Sequence, residues 1–238
     1  MYQNSMCQNS VSDEVGAMMT AASEEQPGNL SMAEKAYLAI RDQLIMLDIP
    51  PMTAIDDAAL ARSLEIGRTP VREALKRLEI DRLVVSYPRR GTFATAVDIT
   101  DLAYISDLRV HLEPLAARRA AETAGEADLE LVGELVDQLD SMDFHSMARD
   151  EVMRWDLHVH RTIYHAAGNP HLEDTLIRYD NLATRIFCVF LDRMQDFDSH
   201  VMEHSALLRA IGSRKPDKAE QLAREHVLNF DKAMRSLV

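Results

Sequence analysis

Aromatic residues, glycine, proline and cysteine are all scarce in this sequence, and it has no long apolar run. Phe, Tyr and Trp make up 5% of the 238 residues, too few of the residues that favour strands to build a large sheet. Ala, Leu, Glu, Asp and Arg dominate instead and favour helices, so a mainly α protein is expected. No apolar stretch approaches the roughly 20 residues of a membrane-spanning helix, and the N-terminus lacks the basic and apolar regions of a secretory signal. A cytoplasmic location with no membrane partner is expected. Cys7 lies in a polar segment and Cys188 in a helical pattern, and no structural disulfide is expected between them.

Basic residues are short too: 26 Lys and Arg face 39 Asp and Glu, for a net charge of −13. Spread evenly, that deficit would argue against a nucleic-acid partner. It is not even. Residues 1–30 carry −4, residues 98–238 carry −10, and residues 31–97 carry +1. A near-neutral segment with clustered arginines can bind DNA locally while an acidic remainder limits non-specific affinity. The 47% hydrophobic and 27% charged content is ordinary for a soluble globular chain of one large or two modest domains.

Residues 1–30 are rich in Ser, Gln, Asn, Glu and Met without sustained periodicity, which predicts a mobile tail. Ala36, Tyr37, Ile40, Leu44 and Ile45 then keep a helical period from Ala33 to Leu47, ended by Ile49-Pro-Pro51. Two further short helical patterns meet at Gly67. Leu60, Ala61 and Leu64 form the apolar face of the first; Val71, Ala74, Leu75 and Leu78 form that of the second. Thr69 is placed to cap the second helix, with Pro70 at its first position and Glu73 close to its first turn. Its outward residues are Arg68, Arg72, Lys76 and Arg77, as expected of a helix-turn-helix whose second helix enters the major groove. On the pair alone, an αα-hairpin with a solvated basic face serves equally well.

The next stretch separates the two readings. Leu83-Val-Val-Ser-Tyr87 and Thr92-Phe-Ala-Thr-Ala-Val97 are β-prone runs joined by Pro88-Arg-Arg-Gly91, the pattern of a hairpin with glycine in its loop. Three helices and a hairpin make a winged helix, and Arg89 and Arg90 at the wing tip are placed to meet phosphates or the minor groove. Residues 31–97 are therefore expected to form a winged helix-turn-helix domain that binds double-stranded DNA.

The string Arg68-Thr-Pro-Val-Arg-Glu-Ala-Leu75, with Ala59-Leu-Ala-Arg-Ser-Leu64 before it and Pro88-Arg-Arg-Gly91 after, resembles the winged-helix domain of the GntR family of bacterial transcription regulators. The resemblance spans about Lys35 to Val97. It implies major-groove contacts by Arg68 and Arg72, a backbone contact by Thr69 and a wing-tip contact by Arg90 and Gly91, beside the outward Lys76 and Arg89. Two positions depart from the family. Gly67 stands where a Ser or Thr is usual, so a phosphate contact and a cap are missing, and Ala58 stands where some members place a further arginine.

Residues 98–238 are expected to form an all-helical second domain, an antiparallel bundle with helices near 101–123, 126–143, 146–167, 171–195, 198–213 and 216–236. Leu102, Ile105, Leu108, Leu112 and Leu115 repeat on one face of the first, and Leu131, Leu135 and Leu139 on one face of the second. All nine histidines lie after residue 110. Asp156 and His160 stand one turn apart, about 40° around the helix axis, so both can point at one ion while His158 points away. Such a pair is half a metal site, but taken alone it is more often a surface hydrogen bond. His200 and His204 form a second one-turn pair, and His226 lies on the last helix.

This half of the chain resembles the effector domain of the FadR-like branch of the same family, the FCD domain. The resemblance implies a metal held by Asp156 and His160, by His204 in Glu203-His-Ser-Ala-Leu-Leu-Arg-Ala-Ile211, and by His226. His200 is then a solvated neighbour, and His111, His145, His158, His165 and His171 are exposed or satisfied in the core. Three imidazoles and a carboxylate suit Zn, Ni, Mn or Fe without choosing among them. Arg109 matches an arginine that faces this cavity and suits a carboxylate effector; a surface pair with Glu113 is the alternative. The expected protein is a homodimeric regulator, a repressor, in which a small organic acid at the metal shifts the population of bundle arrangements. One rival is a metal-dependent enzyme, but no motif places a nucleophile or general base, and the DNA-reading head would be unexplained. Another is a regulator whose metal is purely structural.

Overall fold

The computed structural model describes residues 30–194 and 197–237; Cys7 and the expected tail, apart from Leu30, lie outside the described residues. The chain divides into two units. One contains the described part of Glu25–Leu102 together with Asn181–Val189, and the other contains Ala103–Asp180 and the described part of Phe190–Val238.

In the first unit, helix α1 (Met32–Ile45) starts at Ser31, whose hydroxyl accepts from the Glu34 N–H. Strand β1 (Ala54–Ile55) and helix α2 (Asp57–Ser63) come next, and the Asp56 carboxylate caps α2 by accepting from the N–H groups of Ala58 and Ala59. Helix α3 (Arg68–Ile80) buries Val71, Ala74, Leu75 and Leu78, as its period predicts. These side chains share one core with Ala36, Ile40, Leu44, Leu83, Val84 and Ala94, where each fully buried Leu or Ile contributes about 2 kcal/mol.

The wing is strands β2 (Val84–Tyr87) and β3 (Gly91–Ala94), antiparallel with Val84 opposite Ala94 and Tyr87 opposite Gly91. Its tip turns through two left-handed residues, Arg89 (φ 63°) and Gly91 (φ 96°). Two features differ from expectation. Strand β1 adds a third strand on the far side of β3, and β3 stops at Ala94 instead of running to Val97. Thr95 turns away to bind back, its hydroxyl donating to the carbonyls of Arg82 and Leu83.

The segment Asn181–Val189 packs on this unit through Leu182 and Arg185. The buried Arg185 guanidinium donates to the Leu44 carbonyl (3.0 Å) and to the Thr95 hydroxyl (2.6 Å) and carbonyl (3.0 Å). One side chain thereby ties the end of α1 to the exit of the wing. Burial lowers its pKa to about 10.

Among the described residues, the second unit holds six α-helices: α4 (Asp101–Thr123), α5 (Glu126–Ser141), α6 (Arg149–Ala166), α7 (Pro170–Phe190, shared with the first unit from residue 181), α8 (Phe197–Gly212) and α9 (Pro216–Arg235). Single 3-10 turns at Phe144–Ser146 and Leu191–Arg193 shorten α6 and α7 against expectation. Helix α4 continues through Pro114, which has no N–H for the Val110 carbonyl; Arg224 of α9 donates to that carbonyl instead (3.1 Å). The α6–α7 break uses Gly168 in the left-handed region (φ 61°) and Asn169, whose side chain accepts from the Leu172 N–H. Helix α8 packs against α5, α6 and α9, and this convergence positions the histidines.

The apolar faces of α4 and α5 need correction. Leu102 and Ile105 are buried, but Leu108 and Leu115 are exposed, and on α5 the buried face is Val132, Leu135 and Leu139 while Leu131 is exposed. Among the described residues, no helix is long and apolar enough to cross a membrane.

Candidate functional sites

On α3, Arg68, Thr69, Arg72 and Lys76 are exposed on the side opposite the core, and Arg89, Arg90 and Gly91 are exposed at the wing tip. Arg68 and Arg72 stand one turn apart and both bind Asp57 of α2, Nη2 of Arg68 at 2.9 Å and Nε of Arg72 at 2.5 Å. Those bonds hold the Asp57 carboxyl below the usual carboxylate range, the Arg72 bond most of all. The carboxylate thereby holds the two guanidinium groups side by side.

Two expectations on this helix are corrected. Gly67, not Thr69, is the cap; it offers no side-chain hydrogen bond, and Arg68, Thr69 and Pro70 are the first three helical residues. Pro70 is tolerated because the N–H at the third helical position also lacks an intrahelical acceptor. Glu73 accordingly lies beyond the first turn. Gly67 has ordinary extended backbone angles, and a Cβ there would meet nothing closer than Pro70 Cδ at 3.6 Å. A serine or threonine, as is usual in the family, would fit. Arg77, exposed as expected, pairs with Glu34 and lies over the Tyr37 ring, 4.0 Å from its centroid. The Tyr37 hydroxyl donates to Asp81, and burial followed by the Asp81 charge pushes its pKa up to about 12.

In the second unit, Asp156 and His160 of α6, His204 of α8 and His226 of α9 meet as expected from the sequence. All four are buried, and one ligand atom from each lies within 4.8 Å of the others. The outer ring nitrogens are engaged. His204 Nδ1 lies 3.1 Å from the Val201 carbonyl, His160 Nδ1 lies 3.1 Å from the Tyr164 hydroxyl, and His226 Nδ1 lies 3.3 Å from Glu203 Oε2. With Nδ1–H donating outward, each Nε2 keeps its lone pair for the centre, the arrangement that orients histidine ligands of metals. His160 Nε2 and His204 Nε2 are 3.3 Å apart.

The electrostatics favour a cation. Burial lowers the pKa of His160, His204 and His226, the last to about 3, so the imidazoles are neutral donors. Burial, then the Asp180 charge, raises the Asp156 carboxyl well above its ordinary value, and Asp156 Oδ1 is buried without a hydrogen bond. A divalent ion would supply the missing partner and restore the carboxylate, so the donor set fits a borderline transition metal.

Arg109 is buried, paired with Glu113 of its own helix and with Asp180 Oδ1 at 3.3 Å. The pair with Glu113 exists but lies inside the bundle rather than on its surface. Glu113 also accepts from the Tyr164 hydroxyl, which links Arg109 to His160. Burial raises Asp180 to about 6. Tyr164 and Asp180 were not singled out in the sequence, and Glu113 was named there only as a surface partner of Arg109. Tyr164 follows His160 by one turn, a weak signal, and Asp180 on α7 gave none. His200 is also corrected: its ring stacks on His226 with centroids 4.0 Å apart and packs on Phe230, so it is not a solvated neighbour. His111, His145 and His171 are exposed, His165 meets Glu173, and His158 is half-buried with its pKa lowered by desolvation to about 4.

A three-helix winged unit with exposed arginines on its third helix and wing tip, in one chain with a second, all-helical unit, defines a DNA-binding transcription regulator. Residues 32–94 match the bacterial regulatory proteins of the gntR family and residues 104–229 match the FCD domain. The chain belongs to the GntR family of transcription regulators, in the branch that carries an FCD domain. It is 27% identical over 194 residues to the uncharacterized HTH-type transcriptional regulator YdhC of Bacillus subtilis (strain 168), covering 81% of this chain and 84% of the relative. It is 26% identical over 202 residues to the HTH-type transcriptional repressor GlaR of Escherichia coli (strain K12), covering 81% and 90%. The solved structure of E. coli McbR/YncC shares the fold, with a TM-score of 0.71, 20% identity and coverage of 87% of this chain and 98% of that one. The family and these relatives are regulators, not enzymes.

Proposed function

We propose that this regulator is a cytoplasmic, homodimeric repressor whose affinity for its operator is set by a small carboxylate bound beside a divalent metal at Asp156, His160, His204 and His226. The observation that carries the reading is the buried four-ligand cluster with its ring nitrogens already oriented. Relatives named as repressors support the direction of control. The metal, Zn, Ni, Mn or Fe(II), would supply a positive charge and open coordination positions for an anionic oxygen. Arg109 supplies the second contact. Its fork is shared between Glu113 and Asp180, and Asp180 is the more distant partner, its carboxyl raised by burial to about 6. An incoming carboxylate takes Asp180's place on the fork. Asp180 and Arg185 lie five residues apart on α7, and Arg185 binds Leu44 and Thr95.

The test is operator binding with DNA flanking the protein's own gene, with and without sugar acids, dicarboxylates and fatty acyl compounds. One class is expected to change affinity at least about tenfold, a coupling of roughly 1.4 kcal/mol, only with metal present and not in Arg109→Met. The filled Arg109 fork favours a second reading, a structural metal. That reading holds if metal raises stability while no acid shifts operator affinity.

Dimerisation is supported by an exposed stripe on α4. Tyr104, Leu108 and Leu115 lie within about 40° of one another around the helix, and Tyr104 is 70% exposed. Leu108→Asp is expected to halve the solution mass measured by light scattering; an unchanged mass places the dimer contact elsewhere.

A further inference from the structure

Beside the buried centre lies a second group, His200, Glu203 and His226, whose ligand atoms also fall within 4.8 Å of one another. We propose that these three residues are an outer capture site that takes up a divalent metal ion and passes it to the buried centre through His226. The proposal rests on the metal reading of the four-ligand cluster.

The geometry forms a ladder. Along it, side-chain exposure falls from 41% at Glu203 to 11% at His200, 5% at His226 and 0% at His204. A hydrated ion therefore meets a carboxylate first and imidazoles after it. Glu203 Oε2 stands 3.3 Å from His226 Nδ1 and 3.9 Å from His200 Nδ1, so the outer group uses the Nδ1 face of His226. The buried group uses its Nε2 face, because Nδ1 of His226 points at Glu203. The stacked rings of His200 and His226, 4.0 Å apart and inclined by 16°, keep the two donors side by side, and Phe230 packs on His200 with centroids 4.2 Å apart.

The shared imidazole has two consequences. A neutral imidazole has one lone pair, so holding an ion on each nitrogen would require its deprotonated form; the two positions are therefore filled in turn, and the chain keeps one ion. Transfer runs inward because the buried group offers four ligands and the outer group three. During transfer, the His226 proton moves from Nε2 to Nδ1, where Glu203 again accepts it once the ion has left.

Metal-free full-length protein mixed rapidly with Co(II), followed by its visible absorption, tests the relay. His200→Ala is expected to hold the same single ion per chain with the same equilibrium affinity, but to take it up, and to lose it to a chelator, more slowly than wild type by the same factor. His200→Gln guards against a packing defect and should behave alike, with an unchanged melting temperature. Uptake by both variants at the wild-type rate overturns the relay. So does a second ion per chain, or a loss of equilibrium affinity in His200→Ala, which would make His200 a ligand of the centre itself. If the wild-type chain takes up no ion, the reading of the buried centre falls, and the relay with it. Slowing by Glu203→Gln but not by His200→Ala also overturns the relay and leaves Glu203 as an orienting partner of His226 alone.

Discussion

Replacing Arg68 or Arg72 with alanine is expected to weaken operator binding about five- to hundredfold each, the loss of one bidentate base contact of roughly 1–3 kcal/mol. Both are exposed at the N-terminal end of α3, the end that enters the major groove in a helix-turn-helix. Both must leave Asp57 to reach bases. That release is inexpensive, because ion pairs open to solvent contribute little, and Asp57 has kept the two forks together until then. Lys76→Ala should behave differently: removing a charge that neutralises a phosphate weakens all sequences alike and lowers the salt slope by about one, whereas the arginine variants relax base preference at their own positions. Fluorescence anisotropy with operator and scrambled DNA at several salt concentrations separates the two patterns. Unchanged operator affinity in both arginine variants would remove α3 as the reading helix.

The helices, the wing and the four-residue cluster were legible because each is written in local spacing or in a family string. Asp156 and His160 sit one turn apart, and Arg68 and Arg72 share a short motif. The features that were not legible depend on packing between distant segments. On α4 the apolar residues form two stripes, Leu102 with Ile105 and Tyr104 with Leu108 and Leu115, and periodicity alone does not say which faces the core. Thr69-Pro70 satisfies the rule for a cap and first position, but a proline is equally accommodated two residues deeper, where the missing N–H costs nothing. Strand β1 is two residues long and exists only through its pairing with β3. Asp180 and Arg185 look like charged residues on an amphipathic helix; their roles appear only when Arg109, Leu44 and Thr95 surround them.

Removing one ligand of the buried centre is expected to have the largest effect on stability. Wild-type protein with free metal at about a thousand times its dissociation constant gains about 4 kcal/mol over the metal-free form, a rise of roughly 10 °C in melting temperature for a unit of this size. In His160→Ala or His204→Ala that increment should nearly vanish, and metal content measured by atomic emission should fall from one ion per chain toward none. The comparison of each variant with and without chelator matters more than its absolute melting temperature, because truncating a buried imidazole also opens a cavity. The metal-free forms should differ less than the loaded ones: without the ion, Asp156 is a buried carboxyl lacking a hydrogen bond at Oδ1. A metal-induced rise that persists in both histidine variants would place the ion elsewhere.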